Sequence, residues 1–137
     1  MYPEELVKPM RHELAVKGFT ELKSQAEVGA ALGDKEGTAL LVVNSVCGCA
    51  AGSARPGVVM SLDGAKRPDK LLTVFAGQDK EATDEARKFM LPYPPSSPAI
   101  GLFKNGELVH MIERHHIEGR TAQMIGDHLK MAYEEFC

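Results

Sequence analysis

The sequence predicts an α/β fold in which helices flank a central mixed β-sheet, and three observations carry that reading. Two short apolar runs, TALLVVNSV at 38–46 and KLLTVFAG at 70–77, read as strands, the first buried on both faces. Helical segments alternate with the strands, as right-handed parallel crossovers require. Asn105-Gly106 then divides AIGLF (99–103) from ELVHMIE, and Asn-Gly between apolar runs marks a tight antiparallel hairpin.

Each element has its own justification. Leu6, Met10 and Leu14 stand at helical spacing near the N-terminus, with Pro9 expected to kink that helix or open its second part and Gly18 to stop it. FTEL at 19–22 fits a short edge strand. Ser24 and Glu27 form an S-x-x-E capping box, starting a helix that runs to about Leu32 and ends at Gly33. The run at 38–46 is too short to be a helix between Gly37 and the turn at Gly48. AAGSARPGVVMSL has helical character, but Pro56 and Gly57 must kink or break it, since Pro56 leaves an upstream carbonyl without its donor. DKEATDEARKFM at 79–90 is a charged helix with Ala82, Ala86, Phe89 and Met90 inward. PYPPSSP excludes regular structure, and Ile117–Phe136 reads as a last helix with Met124, Ile125, Leu129, Ala132 and Tyr133 inward. This order is that of a thioredoxin-like domain with an extra N-terminal helix, one domain over residues 1–137.

Composition narrows the function. At 137 residues the chain buries about two-thirds of its extended surface and needs no disulfide or metal to fold. A net charge of −3 and a pI near 5.9 leave no basic footprint for nucleic acid. No apolar run approaches the roughly 18 residues of a membrane span. The start, MYPEELVKPMRHEL, resembles neither a signal nor a transit peptide, so a cytoplasmic location with reduced thiols is expected. Three cysteines there point to redox or metal chemistry over a disulfide framework.

Cys47 and Cys49 bracket one glycine where a strand runs into a helix. A thiolate reacts and a thiol does not, and a helix start favours the anion through its unpaired N–H groups and positive dipole end. Cys47 is therefore expected to be the attacking thiol, with a lowered pKa. Small neighbours (Gly48, Ala50, Ala51, Gly52) leave room for a bulky disulfide partner. Gly48 is expected to bend so that Cys49 closes onto Cys47. The ring would have about 11 atoms against about 14 for Cys-x-x-Cys, and its tighter geometry would make it more easily reduced, which suits a catalyst that is oxidised and reset. Two other readings stay open: buried small residues that happen to be cysteine, and a soft-metal module built on the Cys-x-Cys pair. Zinc, however, wants four ligands, and no second Cys pair is present. His115 and His116, at the end of the hairpin, are expected to point apart, so no metal site is assigned. Arg55 could hold an anionic thiol ligand near Cys47 or be a solvated helix charge. Cys137, at a helix C-terminus, should have a raised pKa; it either helps to resolve a disulfide or frays.

VNSVCGCAAGSARPG, VFAGQDKEATDEAR, PPSSPAIGLFKNGELVHMIERHHIEGR and a terminal cysteine together resemble the bacilliredoxin family, thioredoxin-fold proteins with a Cys-Gly-Cys active site. The likeness covers nearly the whole chain. It implies a thiol–disulfide oxidoreductase that removes bacillithiol from protein mixed disulfides: Cys47 attacks and takes up the bacillithiol, and Cys49 or a second bacillithiol releases it. No bound cofactor is implied, bacillithiol being a co-substrate; the implied partners are bacillithiolated proteins and a flavin-dependent disulfide reductase, with no nucleic acid and no membrane. General disulfide isomerase or reductase activity is the alternative, although the chain lacks Trp and the Trp-Cys-Gly-Pro-Cys motif of thioredoxin. Similarity to the thioredoxin pattern P-x-x-x-L-F-K-N-G-E also implies a cis Ser97–Pro98 bond that offers Ser97 backbone groups to an extended substrate. The other reading of that stretch is a proline-rich turn with Pro98 trans.

Overall fold

Alternation along one strand organises the molecule. Strand β2 (Thr38–Asn44) is buried at all positions. It sends Leu40 and Val42 into one apolar cluster and Ala39, Leu41 and Val43 into another. Each such Leu or Val removed from water contributes about 1.5–3 kcal/mol, so both faces of the sheet must be covered. A computed structural model describes all 137 residues and shows how. Around β2 the chain places α1 (Glu4–Ala15), β1 (Thr20–Glu21), α2 (Gln25–Gly33), a π-helical turn (Ala50–Ala54) leading into α3 (Arg55–Ser61), and β3 (Lys70–Phe75). There follow α4 (Lys80–Phe89), β4 (Ala99–Lys104), β5 (Glu107–Ile112), the single turn α5 (Arg114–Ile117) and α6 (Ala122–Phe136).

The five strands lie in the order β1-β3-β2-β4-β5. β1, β3 and β2 are parallel, and β4 and β5 run antiparallel to complete a mixed sheet. Leu14 of α1, Val58 of α3 and Ile125, Leu129 and Tyr133 of α6 cover the first face; Val28, Leu32, Ala82 and Ala86 of α2 and α4 cover the second. This is the thioredoxin-like architecture with an added N-terminal helix. The hairpin turns at Asn105 (φ 53°) and Gly106 (φ 84°), the paired left-handed conformations that a two-residue hairpin needs. α3 crosses α6 at Gly57, where a Cβ would stand 2.8 Å from Ile125 Cβ, so close packing there requires the missing side chain.

Four details depart from the sequence reading. In α1 the buried stripe is Val7, Arg11 and Leu14, with Leu6 46% exposed. The helix is turned because the Arg11 guanidinium reaches inward to Glu4 and Asp79 at 2.8 and 2.7 Å. At α2, Ser24 caps the Glu27 N–H as expected, but Glu27 returns its bond to the Lys23 N–H instead of that of Ser24. The last helix does not begin at Ile117: α5 is a separate turn, Gly119 (φ 77°) breaks the chain, and the Thr121 hydroxyl caps α6 by accepting from Met124 N. Met124 consequently faces solvent, 50% exposed. The disruption expected at Pro56 takes the form of the π-turn, in which the Arg55 N–H reaches back to the Ala50 carbonyl.

Candidate active site

Strand register forces three distant segments together. Val43 pairs with Ala99, and Ile100 with Ile112. The residues just beyond those pairs, 45–49, 96–98 and 113–118, therefore meet at one end of the sheet. Cys47 sits in the first segment. Its N–H donates to Ser45 Oγ at 2.9 Å, and its carbonyl accepts the N–H groups of Ala50 and Ala51 at 3.0 and 3.2 Å. That makes it the residue at the helix mouth, as the sequence suggested.

The two thiols are free and half-buried, with their sulfurs 2.9 Å apart. Their acidities are driven in opposite directions. Cys47 is lowered below an ordinary thiol, first by the hydrogen bond from the Cys49 side chain, then by the Cys49 backbone N–H, and further by the charge of Arg114. Cys49 is raised, first by burial and then by its bond to, and the charge of, Cys47. The pair is thus polarised, with ionisation favoured at Cys47 and the proton favoured at Cys49.

Arg114 brackets the site. Its Nη2 donates to Cys47 Sγ at 3.1 Å, its Nη1 to the Ser97 carbonyl at 3.2 Å, and its Nε to Glu118 Oε1 at 2.9 Å. Ser97 and Pro98 are therefore brought to the cysteines, and the bond between them is cis. The Ser97 N–H takes part in none of the loop's hydrogen bonds. Sequence reasoning did not single out Arg114. Its i,i+4 partner Glu118 was a usable signal, but with the last helix expected to begin at Ile117 the two did not share a helical turn.

Arg55 is not the cation at the sulfur. It is 2% exposed, below the loop, with Nη1 donating to Asn44 Oδ1 at 2.9 Å and to the Ser45 carbonyl at 2.8 Å. Its Nε lies 3.2 Å from Glu13 of α1 without being aligned to hydrogen-bond it. Neither a ligand contact nor a solvated charge is open to a side chain placed there; it braces Ser45, which in turn holds the Cys47 N–H. Gly48 also works differently from expectation. Its φ is not left-handed, and a Cβ built on it meets nothing within 4 Å, so its contribution is open space beside the sulfurs.

His115 and His116 do not diverge, because they lie on the α5 turn with ring centroids 4.0 Å apart. Together with Glu113 they bring ligand atoms within 4.8 Å of one another. His116 Nδ1 is already occupied by the Glu113 N–H at 3.1 Å, which leaves that set incomplete as a chelate. Cys137 is at the other pole. Thr38 and Asp69 are its neighbours, and burial first, then the Asp69 charge, raises its thiol pKa. The rise matches expectation, although burial leads it. Seven-residue β2 separates Thr38 from Asn44, a span of about 20 Å at the usual strand rise, so Cys137 does not reach Cys47 within one chain.

Comparisons with known proteins bear on the family and the fold. The disulphide isomerase family model matches residues 2–137. A bacilliredoxin of Cytophaga hutchinsonii is 63% identical over 98% of this chain and 99% of its own length. One of Halalkalibacterium halodurans is 53% identical over 99% and 94%. Among solved structures, oxidised thioredoxin O2 of Arabidopsis thaliana superposes with a TM-score of 0.59 at 18% identity, covering 84% of this chain and 94% of that one. No helix is long and apolar enough to cross a membrane.

Proposed function

The chain belongs to the bacilliredoxin family and is a thiol–disulfide oxidoreductase, and from that premise we propose that it removes bacillithiol from proteins carrying it as a mixed disulfide, with Cys47 as nucleophile and Cys49 as resolving thiol. The observation that carries the reading is the polarised pair, 2.9 Å between sulfurs with Arg114 at 3.1 Å. In the first step the Cys47 thiolate attacks the bacillithiol sulfur. The S–S bond between bacillithiol and the protein cysteine breaks, its electron pair leaves on the protein thiolate, and a Cys47–bacillithiol disulfide forms. That step removes the negative charge beside Cys49, one of the causes that raised its pKa, so Cys49 gives up its proton more readily once it is needed. In the second step the Cys49 thiolate attacks Cys47, expels bacillithiol thiolate and closes the Cys47–Cys49 disulfide. A second bacillithiol can instead attack the bound one, giving bacillithiol disulfide and free Cys47. A two-electron reductant resets the closed pair; a flavin-dependent disulfide reductase is the partner of suitable chemistry. The location proposed for this cycle is the cytoplasm.

The same exchange on a disulfide between two protein cysteines is isomerase activity. The matching family model's description favours it as a second reading, and the unpaired Ser97 N–H suits an extended peptide. A soft ion at Cys47 and Cys49 is a weaker reading, since Arg114 places a positive charge where the ion would sit.

Intact mass after incubation with a bacillithiolated protein, and in parallel with a glutathionylated one, tests the assignment. Cys49→Ser should accumulate one bacillithiol adduct, and Cys47→Ser none. Adduct formation on Cys47→Ser would overturn it, and equal rates with glutathione would remove the preference for bacillithiol.

A further inference from the structure

Away from the cysteines, β5 and α6 bring two imidazoles into direct contact. His110 Nε2 lies 2.8 Å from His128 Nε2, with ring centroids 5.0 Å apart and planes at 63°. The nitrogens meet edge to edge, not as a stack. Such a pair needs one N–H and one lone pair at the contact, and both rings are half-buried. Of the chain's five histidines, these two alone have ring nitrogens in hydrogen-bonding contact with each other.

We propose that His110 and His128 form a two-imidazole clamp for a late first-row divalent cation, of which zinc is the type, bridging β5 to α6. The argument is independent of the cysteine chemistry. Nitrogen donors without a carboxylate between them select this class over magnesium or calcium. Tetrahedral zinc with Zn–N bonds of about 2.0–2.1 Å holds two nitrogens roughly 3.3–3.4 Å apart. The pair has only to open by about half an ångström, which small ring rotations supply. In exchange the Nε2 proton of the donor ring moves to Nδ1, so both Nε2 lone pairs face the ion and no net proton is released. Burial, which lowers both rings below the ordinary histidine pKa, favours the neutral form that ligates.

The surroundings leave room for the remaining ligands. His128 lines an open depression together with Arg120, Met124, Asp127 and Met131. Met124 and Met131 are 50% and 73% exposed, so their thioethers face solvent instead of filling the core. Glu135 adds a carboxylate whose charge acts on His110, while Arg120 and His116 oppose a cation. Water completes the coordination. The ion would fasten edge strand β5 to the last helix only a few residues before Arg114.

The test uses the full chain with its thiols blocked as methyl disulfides, because Cys47, Cys49 and Cys137 would otherwise compete for the metal. Zn²⁺ titrated calorimetrically should bind one ion per chain and raise the Tm, and Mg²⁺ should do neither. His110→Gln and His128→Gln should each weaken Zn²⁺ binding at least tenfold, with His12→Gln unchanged. Unaltered affinity in either clamp variant overturns the proposal, as does an equal response to Mg²⁺. Should a variant fail to fold, substoichiometric Ni²⁺ on the unsubstituted, thiol-blocked chain gives a second readout. It should broaden the ring signals of His110 and His128 before those of His12, and broadening led by His115 and His116 places the ion on α5 and sinks the clamp.

Discussion

Arg55 and Arg114 approach the cysteine loop from opposite sides. Arg55 lies beneath it, 2% exposed, bonded to Asn44 Oδ1 and the Ser45 carbonyl. Arg114 lies above it, 44% exposed, bonded to Cys47 Sγ, the Ser97 carbonyl and Glu118. Identical in charge, the two differ in what surrounds them. Below the loop water is excluded, so the cation is held by fixed oxygens, and its removal would leave the buried Ser45 carbonyl without a partner and Asn44 Oδ1 with the Ser45 N–H alone. Above the loop the guanidinium is hydrated, and its effect is on the sulfur's ionisation and not on the fold. One arginine therefore belongs to stability and the other to reactivity.

The sharpest way to break that distinction is to remove each in turn. Arg55→Ala should destabilise the protein by about 3 kcal/mol, since it strands the buried Ser45 carbonyl, takes one of two donors from Asn44 Oδ1 and releases the tie to α1. For a chain of this size that is a fall in Tm of roughly 10 °C. Differential scanning calorimetry reads it directly. If Arg55→Ala melted like the parent while Cys47 alkylated more slowly, the two roles would be reversed.

Next in size is the effect of Cys49 on Cys47. The side-chain bond from Cys49 is the leading cause of the lowered Cys47 pKa, ahead of the Arg114 charge. Cys49→Ala should therefore raise that pKa and slow alkylation of Cys47 at pH 7 by roughly an order of magnitude. The sign follows from ionisation. A lowered pKa means that the parent's alkylation rate levels off at a pH below that of an ordinary thiol; the variant's rate should still be climbing there. Arg114→Gln should act in the same direction but by about threefold, with the Tm unchanged to within about 2 °C. Salt separates the two. Raising ionic strength should shrink the Arg114 effect, which crosses hydrated space, and leave that of Cys49 intact. Rates of iodoacetamide labelling across pH, at low and high salt, carry all of these outcomes.

The two arginines also mark what was legible in the sequence. The succession of strands and helices along the chain, the hairpin at Asn105-Gly106 and the place of Cys47 at a helix mouth were readable because each rests on local pattern: apolar runs, turn chemistry, a strand followed by small residues. Arg55 stood close to the cysteines in the chain and was read as a candidate at their surface. Sequence proximity does not say which side of a helix turn faces inward, and the π-turn over Ala50–Ala54 resets that phase. Arg114, 67 positions from Cys47, reaches it through the β2–β4–β5 register, a long-range property. α1 was misphased for a related reason: apolar Leu6 looked like core, and Arg11 did not, until Asp79 supplied its partner across 68 positions. Local physics was visible, and charges satisfied from afar were not.

The smallest effect expected is that of Cys137→Ser. Cys137 is the same residue type as Cys47, yet burial and the Asp69 charge push its thiol up where the helix mouth, Cys49 and Arg114 push Cys47 down. At pH 7 it is protonated and a poor nucleophile, and the length of β2 keeps it from the exchanging sulfurs. The proposed release of bacillithiol should proceed in Cys137→Ser within about twofold of its rate in the parent, because the thiolate fraction of Cys47 is untouched. Linkage gives an independent check with its own sign. A thiol whose folded pKa is raised contributes stability below its unfolded pKa and loses it as pH rises through the folded one. The parent should therefore lose slightly more stability than Cys137→Ser between neutral and strongly alkaline pH. A stalled turnover in this variant would instead mean that a second chain delivers Cys137 to the site, and that the resolving step is shared between molecules.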